Sequence, residues 1–199
     1  MLNVTDRLCV VVGAGRVGLR KAEALVRAGA SVRLVDPRRD ARAPDGVEHI
    51  RRAYEPSVLD GAFLAFACTD DPELNARIAA DARRAGALVN AADQPEDYDF
   101  FTPAVTRDGN VVVAVGTGGA APGLAGQLRQ TLARALPERI GQFAAVLDEL
   151  REEVRSAVSD PGRRGRIMKR LAGEQTYRAF LAGGGQAVRE ALRRAVEDA

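Results

Sequence analysis

The fold is decided by residues 7–36, which read RLCVVVGAGRVGLRKAEALVRAGASVRLVD. The apolar run Leu8–Val12 has the length and β-branched character of a strand, and a G-x-G-x-x-G turn begins at Gly13. A helical repeat of apolar residues comes next, and a second apolar run, Val32–Val35, ends at Asp36. This order of strand, glycine turn, helix, strand and acid is typical of a dinucleotide-binding βαβ unit. A structural glycine turn that binds no nucleotide is the alternative.

Each residue type in this stretch has a physical role. Gly13 can adopt the backbone angles of a tight turn. Gly15 has no side chain to keep a pyrophosphate from the backbone, and Gly18 lets the helix approach the strand. The N–H groups and the dipole at the start of the helix favour phosphate. We therefore predict that these three glycines bind the cofactor.

The acid after the second strand predicts which nicotinamide cofactor is used. Asp36 lies 18 residues beyond Gly18, a suitable place for a hydrogen bond to a ribose 2′-OH. Because a carboxylate would repel the additional phosphate of NADP, we predict NAD. Arg38 and Arg39 keep NADP open as the alternative, since an arginine just past the strand can hold a 2′-phosphate.

Composition places the chain among ordinary globular proteins. The 199 residues are 46% hydrophobic and 28% charged, with a formal charge of +2, which argues neither for nor against a polyanionic partner. We predict no nucleic-acid partner. No apolar run reaches 18 residues and no signal peptide is evident, so we expect a cytoplasmic protein without a membrane partner. Cys9 and Cys68 are predicted to be buried in strands, and His49 to lie on the surface.

Strands and helices continue to alternate after Asp36, which predicts an α/β fold with a Rossmann-type parallel sheet. The apolar run Ala62–Ala67 is a strand, and residues 69–73 begin a helix. Thr69 and Asp93 follow predicted strand ends, as Gly13 and Asp36 do. Because ligands bind beyond the carboxyl ends of parallel strands, we expect these residues to line one crevice.

The pattern changes after residue 100. Two strand-like runs flank Asp108-Gly109, a favoured hairpin dipeptide, and Pro122 opens a helix. From Arg139 the chain is helical almost to its end, with Gly162 and Gly183–Gly185 separating two shorter helices. We predict a Rossmann domain at 1–112, a hairpin/helix dimerisation region at 113–145 and a small all-helical part at 146–199.

Two further stretches are candidates for chemistry. One is VNAADQP at residues 89–95, in which Asp93 is either a functional carboxylate or a turn-forming residue. The other is GTGGAAPG at residues 116–123, a glycine loop that runs into a helix. It is either a second anion-binding helix start or a flexible connector.

Four segments together resemble the precorrin-2 dehydrogenase family, which includes the amino-terminal half of multifunctional sirohaem synthases. They are GAGRVGLRKAEALVRAGASVRLVDP, FACTDDPELNARIA, LVNAADQPEDYDFFTPA and VVVAVGTGGAAPGLAGQLRQTLARALP, in this order within residues 1–140. The resemblance implies a homodimer that oxidises precorrin-2 to sirohydrochlorin with NAD. Some members also insert ferrous iron. That activity stays open here, because Ala121 replaces the serine that is usual in the glycine loop.

The resemblance also assigns site residues. The essential aspartate of the family falls on Asp93, as a base or as a group that orients the substrate. The remaining assignments are cofactor contacts at Arg16, Val17, Pro37, Arg38, Thr69 and Asp70, and substrate contacts at Asn90, Thr117, Gly118 and Gly119. Arg129 is a further predicted substrate contact, because an arginine can pair with a carboxylate of precorrin-2. For Arg129, a solvated helix charge is the alternative. No resident metal is predicted.

Two other classes of function remain open. A non-catalytic NAD-sensing module would share the βαβ unit but would not require the Asp93 segment or the glycine loop at 116–119. A small dehydrogenase for another substrate commonly uses Tyr-x-x-x-Lys or a histidine base. None of the three tyrosines, Tyr54, Tyr98 and Tyr177, has a lysine four residues on.

Overall fold

The computed structural model describes residues 2–38, 42–91 and 98–197. The chain divides into two compact units, residues 1–102 and 103–199. The finer predicted division at 112 and 145 stays a prediction.

The first unit is built around a five-stranded parallel sheet in the order β3-β2-β1-β4-β5. This confirms the predicted Rossmann-type α/β fold. The sheet reverses direction of winding between β1 and β4, which is where such folds bind ligands. The strands are β1 (Leu8–Val12), β2 (Ser31–Val35), β3 (Val47–Ile50), β4 (Leu64–Ala67) and β5 (Leu88–Ala91); the helices are α1 (Arg16–Arg27) and α2 (Pro72–Arg84), with a short 3₁₀ helix at Pro56–Leu59.

Successive side chains of β1 point to opposite faces of this sheet and contribute to the core on each side. Val10 belongs to the core that includes Ile78 of α2, whereas Val11 belongs to the core that includes Leu25 of α1. Both valines are fully buried, as expected for a parallel strand that is covered on both sides. The predicted burial of Cys9 and Cys68 is confirmed.

The predicted start of α2 is confirmed in detail. Asp71 caps the helix, because its Oδ1 accepts hydrogen bonds from the backbone N–H groups of Glu73 at 2.9 Å and Leu74 at 3.1 Å. Pro72 occupies the first turn, where its missing N–H has no cost. This cap fixes the point at which the chain turns from β4 into the helix.

The prediction of a surface position for His49 is correct only in part, because the residue is half-buried. His49 lies on edge strand β3, and both ring nitrogens are buried without a hydrogen-bond partner among the described residues. Burial, and then the positive charge of Arg51, lower its pKa, while Asp36 acts in the opposite direction. The lowered pKa favours the neutral form of the ring.

The second unit begins with the predicted hairpin and ends in helices. Strands β6 and β7 are antiparallel, with Asp108 opposite Val111, so the turn is centred on Gly109 and Asn110. Four helices follow in the described part of this unit, and the last three pack together around Phe143, Leu150 and Phe180. The elements are β6 (Ala104–Asp108), β7 (Val111–Val115), α3 (Pro122–Ala135), α4 (Ile140–Ala157), α5 (Pro161–Leu171) and α6 (Glu174–Glu197).

The prediction that glycines separate the last helices is wrong at Gly162 and confirmed at Gly183–Gly185. Gly162 lies inside the first turn of α5, after the capping residue Asp160. Two helical segments of α6 meet at Gly184, whose backbone is not helical (φ 63°, ψ −154°). Phe180 and Val188, on either side of this kink, are buried in the same core, so both segments pack against it. Within the described part of the chain, no helix has the length and apolar character needed to cross a membrane.

Candidate functional site

The glycine turn after β1 is packed too tightly to accept side chains at two positions. Gly13 has φ +100°, and its N–H donates to the carbonyl oxygen of Val35 at 2.9 Å. A Cβ on Gly13 would lie 2.5 Å from the carbonyl oxygen of Cys68. A Cβ on Gly18 would lie 1.8 Å from the carbonyl oxygen of Gly13. The turn therefore fills the space between the carboxyl ends of β1, β2 and β4.

Gly15, by contrast, faces open space. A Cβ there would meet nothing within 4 Å. Gly15 is the N-cap of α1 and offers no side-chain acceptor, and the first turn of the helix carries no acid. Arg16 and Val17 at the helix start are exposed. The free N–H groups and the positive end of the dipole thus face a space that a pyrophosphate can enter.

The carboxylate of Asp36 is buried and fully hydrogen-bonded. Its Oδ2 accepts from the N–H of Ala14 at 2.5 Å and from Nη2 of Arg38 at 3.0 Å. Its Oδ1 accepts from the N–H of Arg38 at 2.9 Å and from Nε at 3.0 Å. Burial alone would raise the pKa of Asp36, but the hydrogen bonds from Arg38 and Ala14 outweigh it and lower the pKa to about 2. The residue is therefore an anion at neutral pH.

Asp36, the predicted contact of the ribose, is paired with the exposed side chain of Arg38. The bond from Ala14 is made by the backbone of the glycine turn, so it orients the carboxylate without depending on a flexible side chain. The guanidinium of Arg38 is a side-chain partner on an exposed residue, and the adjacent Pro37 is also exposed. A ribose hydroxyl can replace a guanidinium N–H while the Ala14 bond is kept. The residues present therefore fit a nicotinamide dinucleotide.

Thr69 and Asp70, the predicted cofactor contacts after β4, differ in their surroundings. Asp70 is exposed. The hydroxyl of Thr69 lies 2.7 Å from Oδ1 of Asn75, which also accepts the N–H of Thr69 at 3.1 Å. The amide of Asn75 in turn donates to the carbonyl oxygen of Thr69 at 3.1 Å.

Asn75 was not predicted from the sequence, although its side chain holds Thr69 in place and so shapes this wall of the crevice. It is 3% exposed on the face of α2 that also carries Ile78 and Ala82. A polar residue among the apolar positions of a buried helix face was the available signal, since buried amides need partners.

The side chain of Asn90, a predicted substrate contact, forms a hydrogen bond within the protein. Its side-chain nitrogen donates to the carbonyl oxygen of Phe100 at 2.9 Å, and the residue is 6% exposed. Nζ of Lys21 on α1 donates to Oγ1 of Thr102, and it lies 5.2 Å from the centre of the Phe66 ring. These contacts attach residues 98–102 to the sheet. Asp93, the predicted catalytic residue, lies outside the described residues, so its role stays a prediction.

In the second unit, the predicted glycine loop leads directly into α3. Gly118 (φ +61°) and Gly119 (φ +86°) adopt the left-handed region, and Oγ1 of Thr117 accepts the N–H of Ala121 at 3.2 Å. Ala121 is the N-cap of α3 and provides no side-chain acceptor there. Replacement of the usual serine by alanine thus falls at the position where a hydroxyl would cap the helix. Arg129, further along α3, is half-buried.

No cluster of three or more His, Cys, Asp or Glu side chains that could hold a metal ion occurs among residues 2–38, 42–91 and 98–197.

A family model for NAD(P)-binding proteins matches residues 1–104. The chain belongs to this NAD(P)-binding family. The matched residues include the glycine turn, Asp36 and Thr69. A nucleotide-binding family is consistent with the open space at Gly15.

Curated relatives confirm the predicted resemblance to sirohaem synthases. The chain is 35% identical to the sirohaem synthase of Thioalkalivibrio sulfidiphilus over 98% of its length, covering 41% of that protein. It is 35% identical to that of Methylobacillus flagellatus over 96% of its length, covering 42%. For Methylococcus capsulatus, the identity is 38% over 85% of the chain and 37% of the relative. The chain therefore spans about two fifths of the length of these relatives.

The fold is also that of a solved structure, SirC, precorrin-2 dehydrogenase. The TM-score is 0.75 with 22% sequence identity, and the match covers 100% of this chain and 98% of that one.

The glycine turn provides a matched pair of variants. Gly18→Ala should destabilise the protein by about 3 kcal/mol or more, because its Cβ would overlap a backbone oxygen that cannot move. Gly15→Ala should cost no more than about 1 kcal/mol, the usual difference between glycine and alanine at an N-cap. It should nevertheless weaken NAD binding by about tenfold or more, equivalent to roughly 1.4 kcal/mol, because the methyl group enters the open space. Thermal unfolding and NAD titration measure the two effects. A Gly15→Ala protein with unchanged NAD affinity would show that the cofactor does not approach this turn.

Proposed function

We propose that this chain is an NAD-dependent dehydrogenase that oxidises precorrin-2 to sirohydrochlorin during the synthesis of sirohaem or a related modified tetrapyrrole. The observation that carries the cofactor part is the buried Asp36 carboxylate, oriented by Ala14 beside the open space at Gly15. The substrate part is supported by the similarity to sirohaem synthases over nearly the whole chain.

The reaction removes a hydride and a proton from the substrate, and NAD supplies the hydride acceptor when it is bound. The N–H groups at the start of α1 bind the pyrophosphate, and Asp36 accepts a ribose hydroxyl. Thr69, held by Asn75, forms the wall beside the cofactor. Asp93 is expected to accept the proton or to orient the macrocycle.

The glycine loop of the second unit is expected to bind the substrate. Thr117, Gly118 and Gly119 precede a helix start that lacks a side-chain cap, so backbone N–H groups remain available to a carboxylate. Arg129 on α3 is suited to pair with a second carboxylate of the macrocycle. Insertion of ferrous iron, the other activity in the family, would have to rely on the nitrogen atoms of the tetrapyrrole as ligands. An anaerobic assay that adds ferrous iron after NADH formation tests this step.

A non-catalytic NAD-sensing module remains the second candidate, because the βαβ unit alone accounts for nucleotide binding. The two candidates differ in one measurement. Only the enzyme reduces NAD when purified protein is given precorrin-2 under anaerobic conditions.

Cofactor choice tests the role of Asp36. NAD should bind about tenfold or more tightly than NADP, a difference of roughly 1.4 kcal/mol, because the carboxylate repels a 2′-phosphate. Asp36→Ala should reduce the difference in affinity between NAD and NADP. Asp36→Asn is the control, since it keeps an oxygen acceptor for the N–H of Ala14 while removing the charge. Titration of both dinucleotides measures the effect, and NADP binding equal to NAD in the unaltered protein would contradict the prediction.

Asp93 is tested by a substitution that keeps its shape. Asp93→Asn cannot accept a proton and should lower the dehydrogenase rate by about 10²–10⁴-fold, the usual scale for a general base, with NAD affinity little changed. Asp97→Asn, in the same segment, is the matched control and should have a mild effect. Near-normal turnover of Asp93→Asn would assign proton removal to water or to a substrate carboxylate, and would leave Asp93 as a turn residue.

A homodimer is proposed from the surface of α3. Leu124, Leu128 and Leu132 follow one another at intervals of four residues and are 50%, 43% and 42% exposed. Such a stripe on a helix is unfavourable in water and is typical of an interface. Closed two-fold symmetry is the commonest way to cover it.

Light scattering at micromolar concentration should give the mass of a dimer for the unaltered protein. Leu128→Glu should reduce it to that of a monomer, because the charge would be buried without a partner. Leu181→Glu is the control, since Leu181 is an exposed leucine of α6 outside the stripe. A monomeric unaltered protein would rule out the proposed dimer.

A further inference from the structure

The carboxylate of Asp36 has no acceptor position left for a ligand. A carboxylate offers about four lone-pair positions to hydrogen-bond donors. Four donors of the protein are already bonded to Asp36, namely the N–H of Ala14 and the N–H, Nε and Nη2 of Arg38. The residue is also only 4% exposed. A ribose hydroxyl that bonds to this carboxylate must therefore replace one of the four donors.

Two of these donors are backbone groups whose positions follow from the fold. Ala14 is buried in the glycine turn, whose first N–H is bonded to the carbonyl oxygen of Val35 at 2.9 Å. The N–H of Arg38 lies two residues beyond Asp36, so its bond to Oδ1 is that of an Asx turn, in which Pro37 restricts the backbone φ. Either bond is lost only if the backbone at the end of β2 rearranges.

The other two donors belong to the guanidinium of Arg38, which can leave. Its Nε and Nη2 lie 3.0 Å from Oδ1 and Oδ2 of Asp36, respectively, so this two-pronged pairing covers both oxygens. The side chain of Arg38 is 56% exposed, whereas that of Asp36 is 6% exposed. Rotation about side-chain bonds is enough to remove the guanidinium, and water can then solvate its charge. Arg38 is therefore the donor that a ribose replaces.

We propose that Arg38 is a specificity-determining residue of the dinucleotide site, which competes with NAD for Asp36 and serves as a partner for the 2′-phosphate of NADP. The first effect arises because NAD binds only after the guanidinium gives up its pairing with Asp36. The second arises because a guanidinium at the 2′ position is suited to pair with phosphate. This inference rests on the proposed function for the identity of the cofactor. It adds that Asp36 alone does not set the preference for NAD.

A purely structural role for Arg38 predicts a different result. As a counterion alone, Arg38 would stabilise the buried charge of Asp36, and its removal would lower the free energy of unfolding without tightening NAD binding. As a competitor, its removal frees acceptor positions that NAD uses and raises the affinity for NAD. The location favours the second role, because Asp36 follows β2 at the carboxyl ends of the parallel strands, beside the open space at Gly15.

The test is titration of NAD and of NADP into the full chain and three variants. Arg38→Gln removes both the charge and the two-pronged pairing. Arg38→Lys keeps the charge but cannot form that pairing. Arg27→Gln is the matched control, because it removes one positive charge from the last turn of α1, where Arg27 is paired with Glu23 at 3.8 Å, rather than from the crevice at the first turn.

Arg38→Gln should bind NAD about threefold to fivefold more tightly than the unaltered protein, the usual range for loss of an ion pair with an exposed member. It should bind NADP about threefold more weakly, because the lost pairing with phosphate outweighs the lost competition. Arg38→Lys should also bind NAD more tightly, while its affinity for NADP should stay within about twofold of the unaltered value. Arg27→Gln should leave both affinities within about twofold, since its charge is screened at that distance.

Opposite changes in the affinities for NAD and NADP are the result that a structural counterion would not give. If Arg38→Gln binds NAD no more tightly than the unaltered protein, the competitor role is overturned, and NADH formation from precorrin-2 would leave the proposed function intact. If the unaltered protein binds NAD but forms no NADH from precorrin-2, the proposed reaction is refuted, and opposite changes in Arg38→Gln still support the role of Arg38. The same changes in Arg38→Gln and Arg27→Gln would assign the effect to overall charge and would also overturn the proposal.

Discussion

The close approach of α1 to the end of β1 is the constraint on which the first unit depends. With no Cβ on Gly18, the backbone of the helix can rest against the carbonyl oxygen of Gly13, which in turn packs against the end of β4. The direction of the helix, and therefore the direction of its N-terminal N–H groups, follows from this contact. The bond from the N–H of Ala14 to Asp36 then ties the end of β2 to the same turn. One short segment thus sets the positions of three strand ends and a helix start.

The buried charge of Asp36 is stabilised by two kinds of hydrogen-bond donor, backbone N–H groups and an arginine side chain. Backbone donors cannot leave, and the Arg38 side chain compensates the charge while remaining at the surface. A ligand that exchanges with Arg38 need not leave the carboxylate unpaired at any stage, so the desolvation cost of a bare buried anion is avoided. In the second unit, the helix start at Ala121 has no side-chain cap. The Asp36 carboxylate and the N–H groups of this helix start can therefore hydrogen-bond to a hydroxylated or an anionic ligand, respectively.

Much of this architecture is predictable from the sequence because glycine spacing and apolar periodicity express local sterics. The turn at Gly13, the cap at Asp71 and the hairpin after Asp108 all follow from short-range rules. The failures involve tertiary contacts. The burial of the His49 ring nitrogens depends on tertiary contacts. The support that Asn75 gives to Thr69 is indicated in the sequence only by a polar residue among the apolar positions of α2. The pairing of Arg38 with Asp36 depends on a side-chain conformation that spacing does not specify.

The segment that leads out of the sheet has a consequence for the behaviour of the protein at high concentration. Strand β5 is an edge strand, and an open edge can recruit a strand from another molecule. Here the N–H of Asp99 donates to the carbonyl oxygen of Val89 at 2.8 Å, and the side chain of Asp99 accepts the N–H of Val89 at 2.9 Å. A bridge between Asn90 and Tyr98 extends this cover. The outward-facing groups of Val89 are therefore already occupied, and this edge offers little template for intermolecular strand pairing or aggregation.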